Sequence, residues 1–309
     1  MIETRGLTKY YGSLAALSDL NLTINEGDIF GFIGPNGAGK TTTMRILATL
    51  LEPTRGQGFI NKLDVCKHGR DVRKMVGYMP DFMGVYDDLK VYEYLEFFAA
   101  AFSIERAKRK GVVEGVMELT DLTVKRASPV DGLSRGMQQR LQLARVLIHD
   151  PKVLILDEPA SGLDPRARIE IRELLVELKR MGKTIMISSH ILSELEEMCD
   201  QIGIVEHGRL VFSGTMDEIR TRMGISSKIR VKVAGDNQPR AVELLTALPQ
   251  VATVNMLDDH IAVTFREGQA GDGIIARTLV QAGLDVLSLV PEQLRLDDAF
   301  LQLTQGMVH

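Results

Sequence analysis

The run Gly34-Pro35-Asn36-Gly37-Ala38-Gly39-Lys40-Thr41-Thr42 constrains this chain more than any other stretch. It follows a short apolar segment, Asp28–Ile33, that reads as a strand, and it opens into a helical pattern from Thr42 to Leu51. The spacing G-x-x-x-x-G-K-[ST] between a strand and a helix is that of a phosphate-binding loop. Its glycines let backbone N–H groups converge on phosphate oxygens with no Cβ in the way. Lys40 is then placed to reach the β- and γ-phosphates, and the Thr41 hydroxyl to ligate Mg²⁺. The helix that follows adds the positive end of its dipole to the same anion. A nucleoside triphosphate site is expected here.

The rest of the chain sets this loop in an α/β core. Brief apolar runs at Gly77–Met79, Val153–Leu156 and Thr184–Ile187 read as buried strands between helical patterns. Strand signals vanish between Asp81 and Asp150, where Val91–Ala101 and Ile104–Leu119 look helical, so a helical subdomain of about residues 82–150 is expected. Ile202–Gly214 reads as a hairpin turning at His207-Gly208. The tail has a separate pattern. Lys228–Val233 alternates charged and apolar residues, and strand and helix signals then follow in the order β-α-β-β-α-β, that of a small ferredoxin-like α+β domain. A last helix is expected over Leu296–Leu303. The domains are placed at 1–224 and 228–309.

Composition narrows the function classes. A formal net charge of −4 and an excess of acidic over basic residues in the tail argue against a nucleic-acid partner. No apolar run approaches the ~18–20 residues that span a bilayer. The amino terminus carries no apolar core of a secretory signal. Cys66 and Cys199 have neither metal-ligand spacing nor a disulfide framework, which fits reduced thiols in the cytoplasm.

Lys152–Leu156 is an apolar strand that ends in Asp157 and Glu158. An acid at a strand end can hold Mg²⁺ directly or through water. Glu158, one residue on, can accept a proton from a water attacking a γ-phosphate. Leu133-Ser134-Arg135-Gly136-Met137 precedes a strong helical pattern, and read alone it is a serine cap with a glycine nearby.

Taken together at these intervals, the loop, the acidic strand and the capped helix resemble the Walker A, Walker B and signature motifs of the ABC ATPase superfamily. Smaller elements agree. Ser161-Gly162-Leu163-Asp164 is similar to that family's D-loop, His190 stands where it has a switch histidine, and Tyr11 where an aromatic residue stacks on adenine. The resemblance covers roughly Ile2 to Gly224. The tail, with its closing Leu296–Thr304, resembles the C-terminal domain of ATPase subunits from ABC-2-type exporters.

There are two departures. The family's Leu-Ser-Gly-Gly-Gln is here Leu-Ser-Arg-Gly-Met, so Arg135 and Met137 replace a glycine and the glutamine, while Ser134 and Gly136 are retained. The Q-loop glutamine is absent, and Asp81 stands at or beside its position, where a carboxylate can still ligate Mg²⁺.

The resemblance implies a P-loop NTPase core of ABC type with an antiparallel β region and a helical subdomain. It implies Mg²⁺-dependent ATP hydrolysis by a head-to-tail dimer of two such chains. One copy would supply Tyr11, the loop, Asp157, Glu158, His190 and Asp81; its partner would supply the signature residues. A separate integral membrane permease is implied, gripped near Phe82–Asp88 with Met83, Val85 and Tyr86 as apolar contacts. The chain would then sit at the cytoplasmic face of the membrane. Two other readings stay open: a soluble regulatory ATPase of the same type, and a module that holds ATP without turning it over.

Overall fold

The computed structural model describes residues 1–309 except 82–83, 85–87, 190–194, 223–227, 236, 258, 267–272 and 293–309. His190, Phe82, Met83, Val85, Tyr86 and the expected helix at Leu296–Leu303 lie outside the described residues. The chain divides into two compact units, Met1–Met216 and Asp217–His309.

The first unit runs β1 (Ile2–Tyr11), β2 (Leu14–Ile24), β3 (Ile29–Ile33), α1 (Lys40–Leu47), β4 (Arg55–Ile60), β5 (Leu63–Asp64), α2 (Gly69–Met75) and β6 (Val76–Met79). Then come α3 (Val91–Ala101), α4 (Arg106–Leu119), a 3₁₀ turn at Thr123–Lys125, α5 (Arg135–Leu147), β7 (Val153–Asp157), α6 (Pro165–Arg180), β8 (Thr184–Ser189), β9 (Gln201–Glu206) and β10 (Arg209–Gly214). One sheet has the order β10-β9-β3-β8-β7-β6, parallel from β9 to β6 and closed at one edge by antiparallel β10. Every residue of β3, β7 and β8 is buried, as strands covered on both faces must be. That is why they read as unbroken apolar runs. A second, antiparallel sheet has the order β2-β1-β4-β5. Leu20 and Ile24 of β2, Phe30 and Phe32 of β3, Met44 and Leu47 of α1 and Ile155 of β7 meet in one core, which holds α1 and the loop before it against both sheets.

Between β6 and β7 the chain is helical. Helices α3, α4 and α5 occupy the span expected for the helical subdomain, α4 starting at Arg106 rather than Ile104. Helix α1 starts at Lys40 and ends at Leu47, four residues short of the apolar pattern. Thr49 there takes a left-handed φ of 62°, and its N–H bonds back only three residues, to Ile46. The strands at Gln201–Glu206 and Arg209–Gly214 form the expected hairpin, with His207 and Gly208 both at positive φ as a two-residue primed turn requires.

Helix α7 (Met216–Arg222) begins at the division between units, ahead of the boundary expected near residues 224–227. The second unit continues β11 (Lys228–Val233), α8 (Gln238–Thr246), β12 (Val251–Met256), β13 (Ile261–Phe265), α9 (Ile274–Gln281) and β14 (Val286–Glu292). Its sheet is fully antiparallel, in the order β12-β13-β11-β14. Ala241 and Leu245 of α8 and Ile275 and Leu279 of α9 pack on Val231, Val263 and Phe265 to make a core of its own. Of the two free thiols, Cys66 is exposed. Burial holds the Cys199 thiol well above its usual value.

Candidate functional site

The loop between β3 and α1 sits at the carboxyl end of its parallel strand, beside the ends of β7 and β8. This is the edge at which open α/β sheets bind ligands. Gly39 shows why the residue types are fixed. Its φ is 105°, and a Cβ there would lie 2.6 Å from both the Ala16 carbonyl and Leu17 Cδ2. The hairpin tip holds the loop from behind, since Gly208 N–H donates to the Ala38 carbonyl at 3.0 Å and Ser18 N–H to the Gly208 carbonyl at 2.9 Å. Lys40 begins the helix with its ammonium over the loop, donating to the Gly34 carbonyl at 2.6 Å and the Pro35 carbonyl at 3.3 Å. Burial lowers its pKa, while the nearby Glu158 and Asp157 carboxylates oppose that shift. Its Nζ stands 3.9 Å from Glu158 Oε1.

A cleft of about 310 Å³ opens over this loop. Residues 35–42 floor it, Asp81, Asp157 and Glu158 line it, and Tyr11, Leu14 and Ala16 come to it from the β1–β2 hairpin. Tyr11 is 46% exposed, which leaves a ring face available to a nucleobase. Lys9 places its ammonium 5.5 Å from the centre of that ring.

The acidic end is built with less slack. Asp157 is fully buried, and one oxygen, Oδ1, accepts from the Ser188 hydroxyl at 2.6 Å. The same hydroxyl accepts from Glu158 N–H at 2.9 Å. Glu158 takes a left-handed φ of 51°, rare for such a residue, so the chain turns sharply where the second acid leaves the strand. The other oxygen, Asp157 Oδ2, is buried with no hydrogen-bond partner among the described residues. A buried carboxylate oxygen without a partner is costly unless a cation or water meets it. The donor set fits Mg²⁺ on that ground. Asp157 and Thr41 line one cleft, with Asp81 beside them. No group of three or more His, Cys, Asp or Glu side chains placed to hold a metal ion occurs among the described residues.

The signature residues stand elsewhere. Ser134 caps α5, its hydroxyl accepting from Met137 N–H at 3.3 Å, and Asp164 caps α6, accepting from Ala167 N–H at 2.9 Å. None of Ser134, Arg135, Gly136, Met137 and Asp164 lines the cleft of its own chain. His190 lies outside the described residues. Three residues of the site escaped sequence reading: Leu14, Ala16 and Ser188. Only Ser188 left a signal, a polar pair closing an apolar strand.

A phosphate-binding loop on a parallel sheet, faced by a buried acid and a second acid within reach, defines a P-loop nucleoside triphosphatase. The chain belongs to the ABC transporter family of ATP-binding proteins, whose profile, described as ABC transporter, matches residues 17–161. It is 35% identical to the bacitracin transport ATP-binding protein of Bacillus licheniformis, over 99% of this chain and 98% of that one. It is 34% identical to Nod factor export ATP-binding protein I of Ralstonia nicotianae, over 98% and 94%. A solved ATP-binding subunit of an ABC transporter superposes with a TM-score of 0.66 at 31% identity, over 72% of this chain and 93% of that one. The chain is thus an ATPase of the ABC type. No helix among the described residues is long and apolar enough to cross a membrane.

Proposed function

We propose that two copies of this chain close head to tail on two ATP molecules and thereby energise export through a separate integral membrane permease at the cytoplasmic face. The observation that carries this reading is the division of the machinery. Lys40, Thr41, Asp157 and Glu158 line one cleft, while the capped helix start at Ser134–Gly136 is absent from it. A helix start stabilises a γ-phosphate well, and in this reading it serves another copy's nucleotide. Export is supported by the relatives named for bacitracin transport and Nod factor export, which align over nearly the whole chain, tail included.

In this scheme Tyr11 stacks on the base, and the loop N–H groups with Lys40 hold the phosphates. Glu158 takes a proton from the attacking water, and His190 and Asp81 complete the γ-phosphate end. Thr41 and Asp157 hold Mg²⁺, which when bound neutralises charge on the transferring phosphoryl group. Loss of that group releases the clamp, so opening and closing follow the nucleotide. Asp164 caps the start of α6, six residues past Glu158, and the segment from Phe82 to Asp88 meets the permease.

Glu158→Gln is expected to keep ATP binding, lose most turnover and accumulate as an ATP-bound dimer, read by light scattering and phosphate release. Wild-type turnover in that variant would remove Glu158 as the base. Lys40→Ala is expected to weaken ATP binding by more than about tenfold, corresponding to the loss of at least one charge-assisted hydrogen bond. Calorimetry showing unchanged affinity would overturn the role of the loop. The transport role is tested by capturing tagged Glu158→Gln protein with ATP from detergent-solubilised native membranes. A stoichiometric integral membrane protein supports it, and only soluble partners would refute it.

A further inference from the structure

Arg135 stands where the family's signature has a glycine, and its side chain has a definite destination. Gly162, in the turn between Glu158 and Asp164, has φ +65°. A Cβ built there would fall on Arg135, about equally close to the guanidinium carbon and to both terminal nitrogens. Equal approach to those three atoms means that the planar group presents its face, not its edge. Arg135 therefore lies flat against the backbone of its own chain's Gly162, in a place that only glycine leaves open.

Two further contacts repeat this joint down the same pair of helices. A Cβ on Gly136 would stand 2.9 Å from Ala167 Cβ, so the first turns of α5 and α6 touch with no room between them. Arg140 of α5 approaches Glu170 of α6 at 3.7 Å while donating to Asp121 at 2.9 Å. The turn under Arg135 is itself tight, with Ser161 N–H donating to the Glu158 carbonyl at 3.0 Å and Leu163 N–H to the Ala160 carbonyl at 3.3 Å. Gly162 lies in the second of these two overlapping turns, Ala160–Leu163, and the first begins at Glu158.

We propose that Arg135 is a positioning residue that locks the signature helix to the turn carrying Glu158 within one copy, so that nucleotide engaged by that helix in one site sets the base in the other. This rests on the reading above that Ser134 and Gly136 address the partner's nucleotide. It assigns Arg135 away from direct phosphate contact. A guanidinium seated face-on against Gly162 has to leave that seat before it can reach across an interface.

The test compares Arg135→Ala, Arg135→Lys, Gly162→Ala and the Arg135→Ala/Gly162→Ala double variant in the full chain, each with its thermal melt recorded. The readouts are turnover against ATP concentration and ATP affinity in the Glu158→Gln background. Arg135→Ala is expected to lower kcat about fivefold and bring the Hill coefficient toward unity, with ATP affinity held within about twofold. Lysine should not rescue, because an ammonium lacks the planar face. Gly162→Ala, whose methyl takes the guanidinium's seat, should match Arg135→Ala, and the double variant should be no worse than either. Weaker ATP binding restored by lysine would overturn the proposal in favour of a phosphate-contacting charge. Unchanged kcat and Hill coefficient would overturn it outright. Wild-type protein without cooperativity, together with a Glu158→Gln variant that stays monomeric in ATP, would instead remove the two-copy reading beneath it and the proposal with it.

Discussion

Ser188 joins the two acids of the site, donating to Asp157 at 2.6 Å and accepting from Glu158 N–H at 2.9 Å. Both bonds have geometric consequences. The first engages one oxygen of Asp157 and leaves the other for a cation; the second holds Glu158 in a left-handed backbone that its side chain disfavours. Ser188→Ala would strand both partners in a buried site. The expected result is a turnover lower by about 10- to 100-fold, the usual effect of removing a group that orients a metal ligand. Stability should fall by about 1–3 kcal/mol for the unpaired groups left behind. ATP affinity should hold, since Lys40 and the loop make no bond to Ser188. Phosphate release and calorimetry on one preparation check both halves, and undiminished turnover would sink the idea. The phosphate loop was legible in the sequence because its residues are contiguous and each meets a local backbone demand. Leu14 and Ala16 were not, because strand pairing brings them to the cleft, and Ser188, whose one signal was the polar pair closing its strand, acts from behind the two acids.

Elements repeat that contrast. Strands β3, β7 and β8 announce themselves as apolar runs because both of their faces are covered. Strands β1 and β2 do not, since register shifts at Thr4/Leu7, Leu7/Lys9 and Lys9/Tyr10 break the alternation that would mark them. One contact that ties the helical subdomain to β6 was also hidden, because it is made by a single histidine. His149, just past α5, stacks on Phe102 at the end of α3 with ring centres 4.1 Å apart and planes 15° off parallel. Its Nε2 lies 3.1 Å from the Val76 carbonyl, so the neutral ring donates there, while Nδ1 is buried without a hydrogen-bond partner among the described residues. Burial holds its pKa below the ordinary 6.5; the Val76 carbonyl and Asp150 oppose that shift, and Lys183, itself paired with Asp150, adds to it. The sign follows. The unfolded chain takes up a proton at a higher pH than the folded one, so the contribution of His149 is intact above about pH 6.5 and is lost as pH falls through the folded value. His149→Gln keeps a donor for Val76 but removes the ring and its titration. It is expected to be less stable near neutrality by about 1 kcal/mol for the lost stack. Its melting temperature should then fall less than that of the wild type between about pH 7 and pH 5. Equal slopes in the two proteins would show that the titration lies elsewhere.

At the scale of the molecule, each of the two units carries apolar core of its own. The apolar cluster around Phe30 and Leu47 and the cluster around Val231 and Phe265 have no residue in common. Each is completed by elements of its own unit, and every residue that lines the nucleotide cleft belongs to the first. Ligand binding stabilises what it binds by an amount set by concentration over affinity, about 2.7 kcal/mol at a hundredfold excess over Kd. ATP with Mg²⁺ should therefore act on one unit and pass the other by. Scanning calorimetry is expected to resolve two transitions, with only that of Met1–Met216 moving upward on adding nucleotide; hydrogen exchange at β11 and β13 would assign the unmoved one. A second unit that responded equally to nucleotide would mean that the tail senses the ATP site. The tail would then report on, or gate, the closing of the pair.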